Sequence, residues 1–495
     1  MHRGDFKGVV GLDRKKIVTA SSVNVIGNML YLGLGVLVNG ILGRLYGPGG
    51  LGLYTSFLLF VNLYSTLAVF GMPMALSKTV AEYERQGAKF IGQILTSALM
   101  FTGLTSLVVG GISYFVTPLL AQLLGIETIP KFMAIGMFLS LTSWGGCQII
   151  WSFYQGTLQF TKSTMVHLLP LMVVSFILLV NLTGKSVSIL EMVVLGYVVS
   201  GIISLSLVVR DGFLISEFSL PKLLSILKLS FPLLIISYAV FVSTWADKAI
   251  SGVLFGVEQI GLITSVMVFI QAARMLPRAI SEVLIPVYSK LSANGQPPLR
   301  SLFESNVKVM SLLMSLFVFS LYILAEPLII LVYGSAFTAA VPLLQILSFA
   351  LLAVGFSSST TGLLTGTGRT ITEMALVIAE VVAQLFLLFL LGSVFGVIGV
   401  ALANTIAPYL GLSLRYLSIR RVMPTKTAWV AWLQQMMVLV LGILAFVALK
   451  HLLGNVVASI VSIIGYFALI LRSSTFSENI KPLLQAYCKV RSAGE

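Results

Sequence analysis

Residues 45–56 read LYGPGGLGLYTS, and residues 254–265 read LFGVEQIGLITS. A shift of 209 positions superposes Leu45 on Leu254, Gly47 on Gly256, Gly52 on Gly261, Leu53 on Leu262, Thr55 on Thr264 and Ser56 on Ser265. Two echoes follow. Pro73 with Ser77 and Lys78 answers Pro286 with Ser289 and Lys290, about three residues further offset. Gly156-Thr157 answers Gly366-Thr367 at a shift of 210. The chain is therefore a duplication. Duplicated membrane proteins build their substrate path between the copies.

Composition supplies the solvent. Of 495 residues, 58% are apolar and 10% charged, with mean hydropathy +1.03. Soluble domains carry about 25% charged residues, so lipid must solvate most of this surface. A span needs about 20 apolar residues. Fourteen such runs are read, near 17–42, 53–77, 91–115, 131–153, 163–182, 188–209, 228–254, 259–287, 306–330, 338–364, 371–393, 396–416, 428–449 and 455–471. Backbone groups in lipid must pair within their own segment, so the expectation is an all-α polytopic membrane protein. Two pseudo-symmetric six-helix lobes, 1–209 and 227–417, flank a cytoplasmic linker at 210–226. Spans 13 and 14, in 428–472, have no counterpart in the repeat, and 473–495 is a cytoplasmic tail.

The net charge of +14 does not call for nucleic acid. With the N-terminus placed inside, 24 of the 31 lysines and arginines fall on the cytoplasmic side, Arg415 among them. Four fall outside (Arg44, Lys131, Lys185 and Lys450), and Lys248, Arg274 and Arg278 lie within spans. That asymmetry obeys the positive-inside rule. It predicts a plasma (inner) membrane protein with both termini cytoplasmic. The first apolar run is too long for a cleavable signal, so span 1 is expected to stay as an anchor. Two cysteines, Cys147 and Cys488, make neither a disulfide framework nor a metal spacing. GPGG at 47–50 reads as a tight outer turn between spans 1 and 2 and not as a phosphate cradle, because no strand precedes it and no Lys-Ser or Lys-Thr follows.

Ionisable groups within spans face a cavity or a partner. Span 7 carries Asp247 and Lys248, and span 8 carries Gln271, Arg274, Arg278 and Glu282 on one stripe. Two arginines one turn apart can grip a diphosphate, because guanidinium forks match phosphate oxygens. The competing reading pairs Arg278 with Glu282 and Arg274 with an acid of another helix. Lys248 either adds to that cationic site or pairs with Asp247. Arg44 is either a cation at the cavity mouth or an interfacial anchor. Asn24, Asn28 and Asn39 share a stripe of span 1 that either lines a hydrated cavity or bonds between helices. Asp247, Glu380, Gln384, Asn404 and Thr405 form a candidate ion-coupling set for Na⁺ or protons, against a purely structural role. His167 is lone in span 5 and reads as structural. No metal or cofactor motif and no hydrolase or Walker sequence occurs, so no enzyme is expected.

Several longer stretches carry a family resemblance: GRLYGPGGLGLYTS at 43–56, GMPMALSKTVAEYERQG at 71–87, SFPLLIISYAVFVSTWADKAISGVLFG at 230–256, IPVYSKL at 285–291, AEPLIILVYGSAFTAAVPLLQIL at 325–347, LLTGTGRT at 363–370 and FGVIGVALANTIA at 395–407. In their order and spacing the chain resembles the multidrug/oligosaccharidyl-lipid/polysaccharide (MOP) exporters, and within them the polysaccharide flippases. The resemblance implies two bundles about a central cavity lined by spans 1, 2, 7 and 8, worked by alternating access. It implies a polyprenyl-diphosphate-linked glycan as cargo, membrane lipids as surroundings, and glycan polymerases or ligases as partners. Arg274, Arg278, Lys248 and Arg44 would be the cavity cations. Lipid II flippases have an ion site from spans 7, 11 and 12, which Asp247, Glu380 and Thr405 would mirror. This chain has Asn28 and Asn39 but no charge deep in span 1, unlike the lipid II group. Drug antiporters often carry an acid in their N-lobe helices, and none occurs here within spans 1, 2, 4 or 5. A non-transporting scaffold for glycan assembly, the remaining alternative, would need a sealed apolar lobe interface.

Overall fold

Apolar runs that must pair their own backbone in lipid form helices. A computed structural model describes residues 14–83, 87–126, 131–181, 187–213, 217–292, 296–420, 426–453 and 455–472, and among these every regular element is helical. They are α1 (Arg14–Val69), α2 (Met72–Tyr83), α3 (Ala88–Leu123), α4 (Lys131–Gly156), α5 (Phe160–Asn181), α6 (Ile189–Arg210), α7 (Leu220–Phe255) and α8 (Val257–Ser292). There follow α9 (Gln296–Ile323), α10 (Ala325–Tyr333), α11 (Val341–Ser348), α12 (Ala350–Gly366), α13 (Thr370–Arg420), α14 (Lys426–Leu453) and α15 (Asn455–Arg472). The tail at 473–495, with Cys488, lies outside the described residues.

Among the described residues, ten helical segments are long and apolar enough to cross a membrane. Two of them, Ile26–Val69 and Thr370–Arg420, run 44 and 51 residues. Each bends at a glycine, Gly47 (φ 67°) and Gly396 (φ 67°), and so carries two expected spans. With α4 and α15 this covers all fourteen expected segments. GPGG thus joins the two halves of α1 through the non-helical backbone of Gly47, where the sequence placed a turn between spans 1 and 2. Gly47 takes the positive φ that glycine tolerates, and Pro48 restarts the helix where no N–H is needed. Gly256, the repeat-equivalent of Gly47, shares the positive φ, at 85°. Span 10, expected at 338–364, runs as one segment Ser335–Gly366 that opens with a 3-10 turn at Ser335–Ala340, and Phe349 between α11 and α12 keeps helical backbone. Pro342 sits in the first turn of α11, where its missing N–H costs nothing.

The chain packs as two units, divided inside α7. One unit holds residues up to Trp245 together with Gly256–Gly261. The other holds Ala246–Phe255 and the chain from Leu262 onward. This differs from the expected lobe limits of 209 and 227. The expected linker at 210–226 differs too, because α7 already begins at Leu220. Side chains explain both. Ser219 N–H donates to Ser97 Oγ at 3.0 Å. The Lys222 ammonium bonds Gln93 and sits over the Phe90 ring. A Cβ on Gly71 would stand 2.6 Å from Ser230 O and from Leu234 N. The first half of α7 is therefore stitched to the first unit.

The first unit has a core around Met72, Leu76, Ile94, Phe153, Tyr154 and Ile226. The second has one around Tyr288, Phe303, Phe356, Leu364 and Trp432. The repeat is visible in both. A Cβ on Gly156 would stand 2.7 Å from Ser77 O, and one on Gly366 would stand 2.6 Å from Ile285 O. Corresponding helix ends are pressed together in the same way.

Candidate functional site

Helix α13 doubles back at Gly396, so its two halves are antiparallel neighbours. Glu373, Glu380 and Gln384 lie at positions i, i+7 and i+11 of the first half. Asn404, Gly411 and Arg415 lie at i, i+7 and i+11 of the second. Such spacings hold residues on one face of a helix, and the two stripes face each other. Gln384 Nε2 donates to Asn404 Oδ1 at 2.8 Å. The Arg415 guanidinium bonds Glu380 through Nη1. It also reaches Glu373 Oε1 at 3.2 Å through Nη2 and 3.4 Å through Nε. Thr361 on α12 donates to the same Glu373 oxygen at 2.7 Å.

The network continues into α7. Asn404 Nδ2 donates to Asp247 Oδ2 at 3.3 Å. Asp247 takes the ammonium of Lys248 at 3.1 Å and the backbone N–H of Lys248 at 2.8 Å. Asp247 is 2% exposed, Lys248 8%, Asn404 4% and Arg415 4%. Burial at this level forces charges to pair. Three acids (Asp247, Glu373, Glu380) meet two bases here, and a third base stands close. Arg274 on α8 lies within electrostatic reach of Glu380 and Asp247. Its Nε is buried and makes no hydrogen bond.

The other predicted residues fall as follows. Arg278 and Gln271 are exposed, and the side chain of Glu282 lies outside the described residues. The Thr405 hydroxyl donates to Ala401 O at 2.9 Å and Ile346 O at 3.0 Å, both backbone. In the first unit, Arg44 and Asn28 are exposed. Asn39 donates to Gly35 O at 2.8 Å, while its Oδ1 is buried without a partner. The side chain of Asn24 lies outside the described residues. His167 stacks between Tyr31 at 4.3 Å and Trp151 at 4.7 Å, beside a cavity of about 50 Å³ also lined by Tyr54, Trp144 and Tyr197.

Arg415 corrects the reading from sequence. It is not a cytoplasmic loop cation but the buried centre of this network, and Glu373 had no assigned role at all. The matching i, i+7, i+11 stripes on either side of Gly396 were the signal that would have found both.

A duplicated helical chain whose described residues include ten segments long and apolar enough to cross a membrane is a multi-pass membrane protein. The chain belongs to the polysaccharide biosynthesis protein family, whose pattern matches residues 41–342. No curated protein sequence matches the chain. Among solved structures it is similar to the lipid II flippase MurJ in an inward closed conformation, with TM-score 0.68 and 16% identity over 91% of this chain and 98% of that one. It is similar to an inward-facing MATE family multidrug resistance transporter of the MOP superfamily, with TM-score 0.63 and 13% identity over 85% and 98%. The eukaryotic MATE transporter AtDTX14 follows, with TM-score 0.59 and 15% identity over 85% and 98%. At these identities the likeness is one of fold.

Proposed function

We propose that the protein is a flippase that carries a polyprenyl-diphosphate-linked oligosaccharide from the cytoplasmic to the outer leaflet by alternating access. It works in the plasma (inner) membrane with both termini cytoplasmic, and hands its cargo to a glycan polymerase or ligase. The observation that carries the reading is Arg274. A guanidinium whose buried Nε makes no hydrogen bond is poised to take an anion, and a diphosphate offers oxygens that match its fork. Membership of a polysaccharide biosynthesis family supports a glycan as the rest of the cargo. Lys248 is engaged with Asp247, which leaves Arg274 as the leading anion ligand and Arg278 as its exposed neighbour one turn on. The energy comes from an ion gradient, Na⁺ or proton, or from the substrate's own gradient.

The fold likeness to MurJ favours lipid II as a second reading. Both are tested by reconstituting the protein in vesicles and following fluorescent lipids between leaflets. The expected result is faster movement of a polyprenyl-diphosphate sugar than in empty vesicles, with lipid II moved less well. Equal rates in protein-containing and empty vesicles, under both a Na⁺ and a proton gradient, would reject flipping. Preferential movement of lipid II would replace the first reading with the second.

A further inference from the structure

The resemblance to lipid II flippases implies an ion site mirrored by Asp247, Glu380 and Thr405, and sodium is one of the two ions considered for it. Hard monovalent and divalent cations need oxygen lone pairs directed at them. In this chain most of those carboxylate and amide oxygens are already engaged, and of the network's acids Glu373 keeps one buried oxygen, Oε2, without a hydrogen bond. Asp247 Oδ1 takes Lys248, and Oδ2 takes Asn404. Asn404 Oδ1 takes Gln384. Glu380 takes the Arg415 guanidinium. The Thr405 hydroxyl is turned to two backbone carbonyls. The donor set does not fit a sodium ion.

We propose that Arg415 is the cation of this site: a tethered guanidinium that joins Glu373 and Glu380 where an exchangeable ion would otherwise be required. Three observations support it. First, Glu373 and Glu380 lie two turns apart on α13, a rise of about 10 Å. The planar fork of arginine, with its five donors, can serve both carboxylates from one side chain. Second, Gly411 is cut to fit the pair. A Cβ there would stand 2.6 Å from Glu380 Cδ and 2.9 Å from Arg415 Nη1. Third, the charges close on themselves. Asp247, Glu373 and Glu380 are met by Lys248 and Arg415, with Arg274 in reach. With no cargo on Arg274 the three acids and three bases balance, so a further cation would bring the site a net positive charge in a buried setting, which is costly. Arg415 is thus a positioning residue that holds the two halves of α13 together, and this network takes no sodium. The inference does not depend on which lipid is carried.

The test is thermal melting of the full-length purified protein in detergent, with choline chloride exchanged for sodium chloride at constant ionic strength. A bound ion stabilises in proportion to its occupancy, so a real site gives a saturable rise in Tm. Wild type is expected to show none. Arg415→Ala is expected to melt lower than wild type and to regain part of the loss with sodium but not with choline, because two carboxylates then lack their cation. Arg415→Lys, which keeps a tethered charge, is expected to stay indifferent to sodium. A saturable sodium response in wild type that Glu380→Gln abolishes overturns the proposal. So does an Arg415→Ala protein that melts like wild type, or that melts lower and ignores sodium. Should Arg415→Ala fail to fold, wild type against Glu380→Gln decides the matter alone.

Discussion

Gly52 and Gly261 hold equivalent places in the duplicated motif, and in the fold they meet. A Cβ on Gly261 would stand 3.0 Å from Gly52 N and 2.8 Å from Pro48 C, and a Cβ on Gly52 would stand 2.8 Å from Val257 C. Every one of those neighbours is backbone, which cannot swing aside. Gly52→Val or Gly261→Val should therefore destabilise by at least the roughly 1–3 kcal/mol of an overpacked core. Thermal melting in detergent checks it, and a wild-type Tm in both variants would rule out this close approach.

Arg274→Ala should weaken binding of a polyprenyl diphosphate. A hydrogen bond to a charged group contributes about 1.5–3 kcal/mol, which corresponds to a loss of roughly 10- to 100-fold. Arg274→Lys should keep part of the affinity, because it retains charge without the fork. Titration of a fluorescent polyprenyl diphosphate reads the change. Unaltered affinity in Arg274→Ala would remove this residue from the cargo site.

Asp247→Ala strands the Lys248 ammonium without its carboxylate at a position only 8% exposed. Breaking one side of a buried pair costs about 3–5 kcal/mol. Removing both charges in Asp247→Ala Lys248→Ala should cost less than the sum of the single changes, since the pair acts as a unit. Denaturation of the four proteins of the cycle measures this. Strict additivity would mean that the pair is not coupled.

Beyond the end of α6, Asp211 takes the Lys162 ammonium and the Tyr154 hydroxyl, each at 2.7 Å. Burial pushes the Asp211 carboxyl up, but Lys162 and Tyr154 more than offset this and hold it below the usual carboxylate range. A carboxyl depressed by folding stabilises the native state above its unfolded pKa of about 4, and loses that contribution as pH falls through its lower folded pKa. The stability gap between wild type and Asp211→Asn should be full at pH 7 and close below about pH 4. Melting curves from pH 7 to pH 3 give the test, and a gap independent of pH would contradict it.

Much of this molecule was legible before any coordinates. Long apolar runs have one solution in lipid, so helices and their number followed from hydropathy alone. GPGG read as a turn, and Gly47 there takes the positive φ that few other residues tolerate. The duplication was readable as LxGxxxxGLxTS, and it led to Gly52 and Gly261, although not to their meeting. The pairing of Asp247 with Lys248 was one of two readings left open.

The tertiary structure decided what the charges do. Arg415, counted as a loop cation, sits 4% exposed between Glu373 and Glu380. Whether an ionisable residue near a helix end reaches water or a buried partner depends on the neighbouring helix, and hydropathy carries no term for that neighbour. The division of α7 after Trp245 has the same origin: Lys222, Ser219 and the backbone at Ser230 found their partners on α3 and at Gly71. The amino-acid sequence by itself determined solvent, helix count and internal symmetry, since these are sums over local preferences. Which polar group answers which required three dimensions, because electrostatic and hydrogen-bond partners are set by distance across helices and not along them.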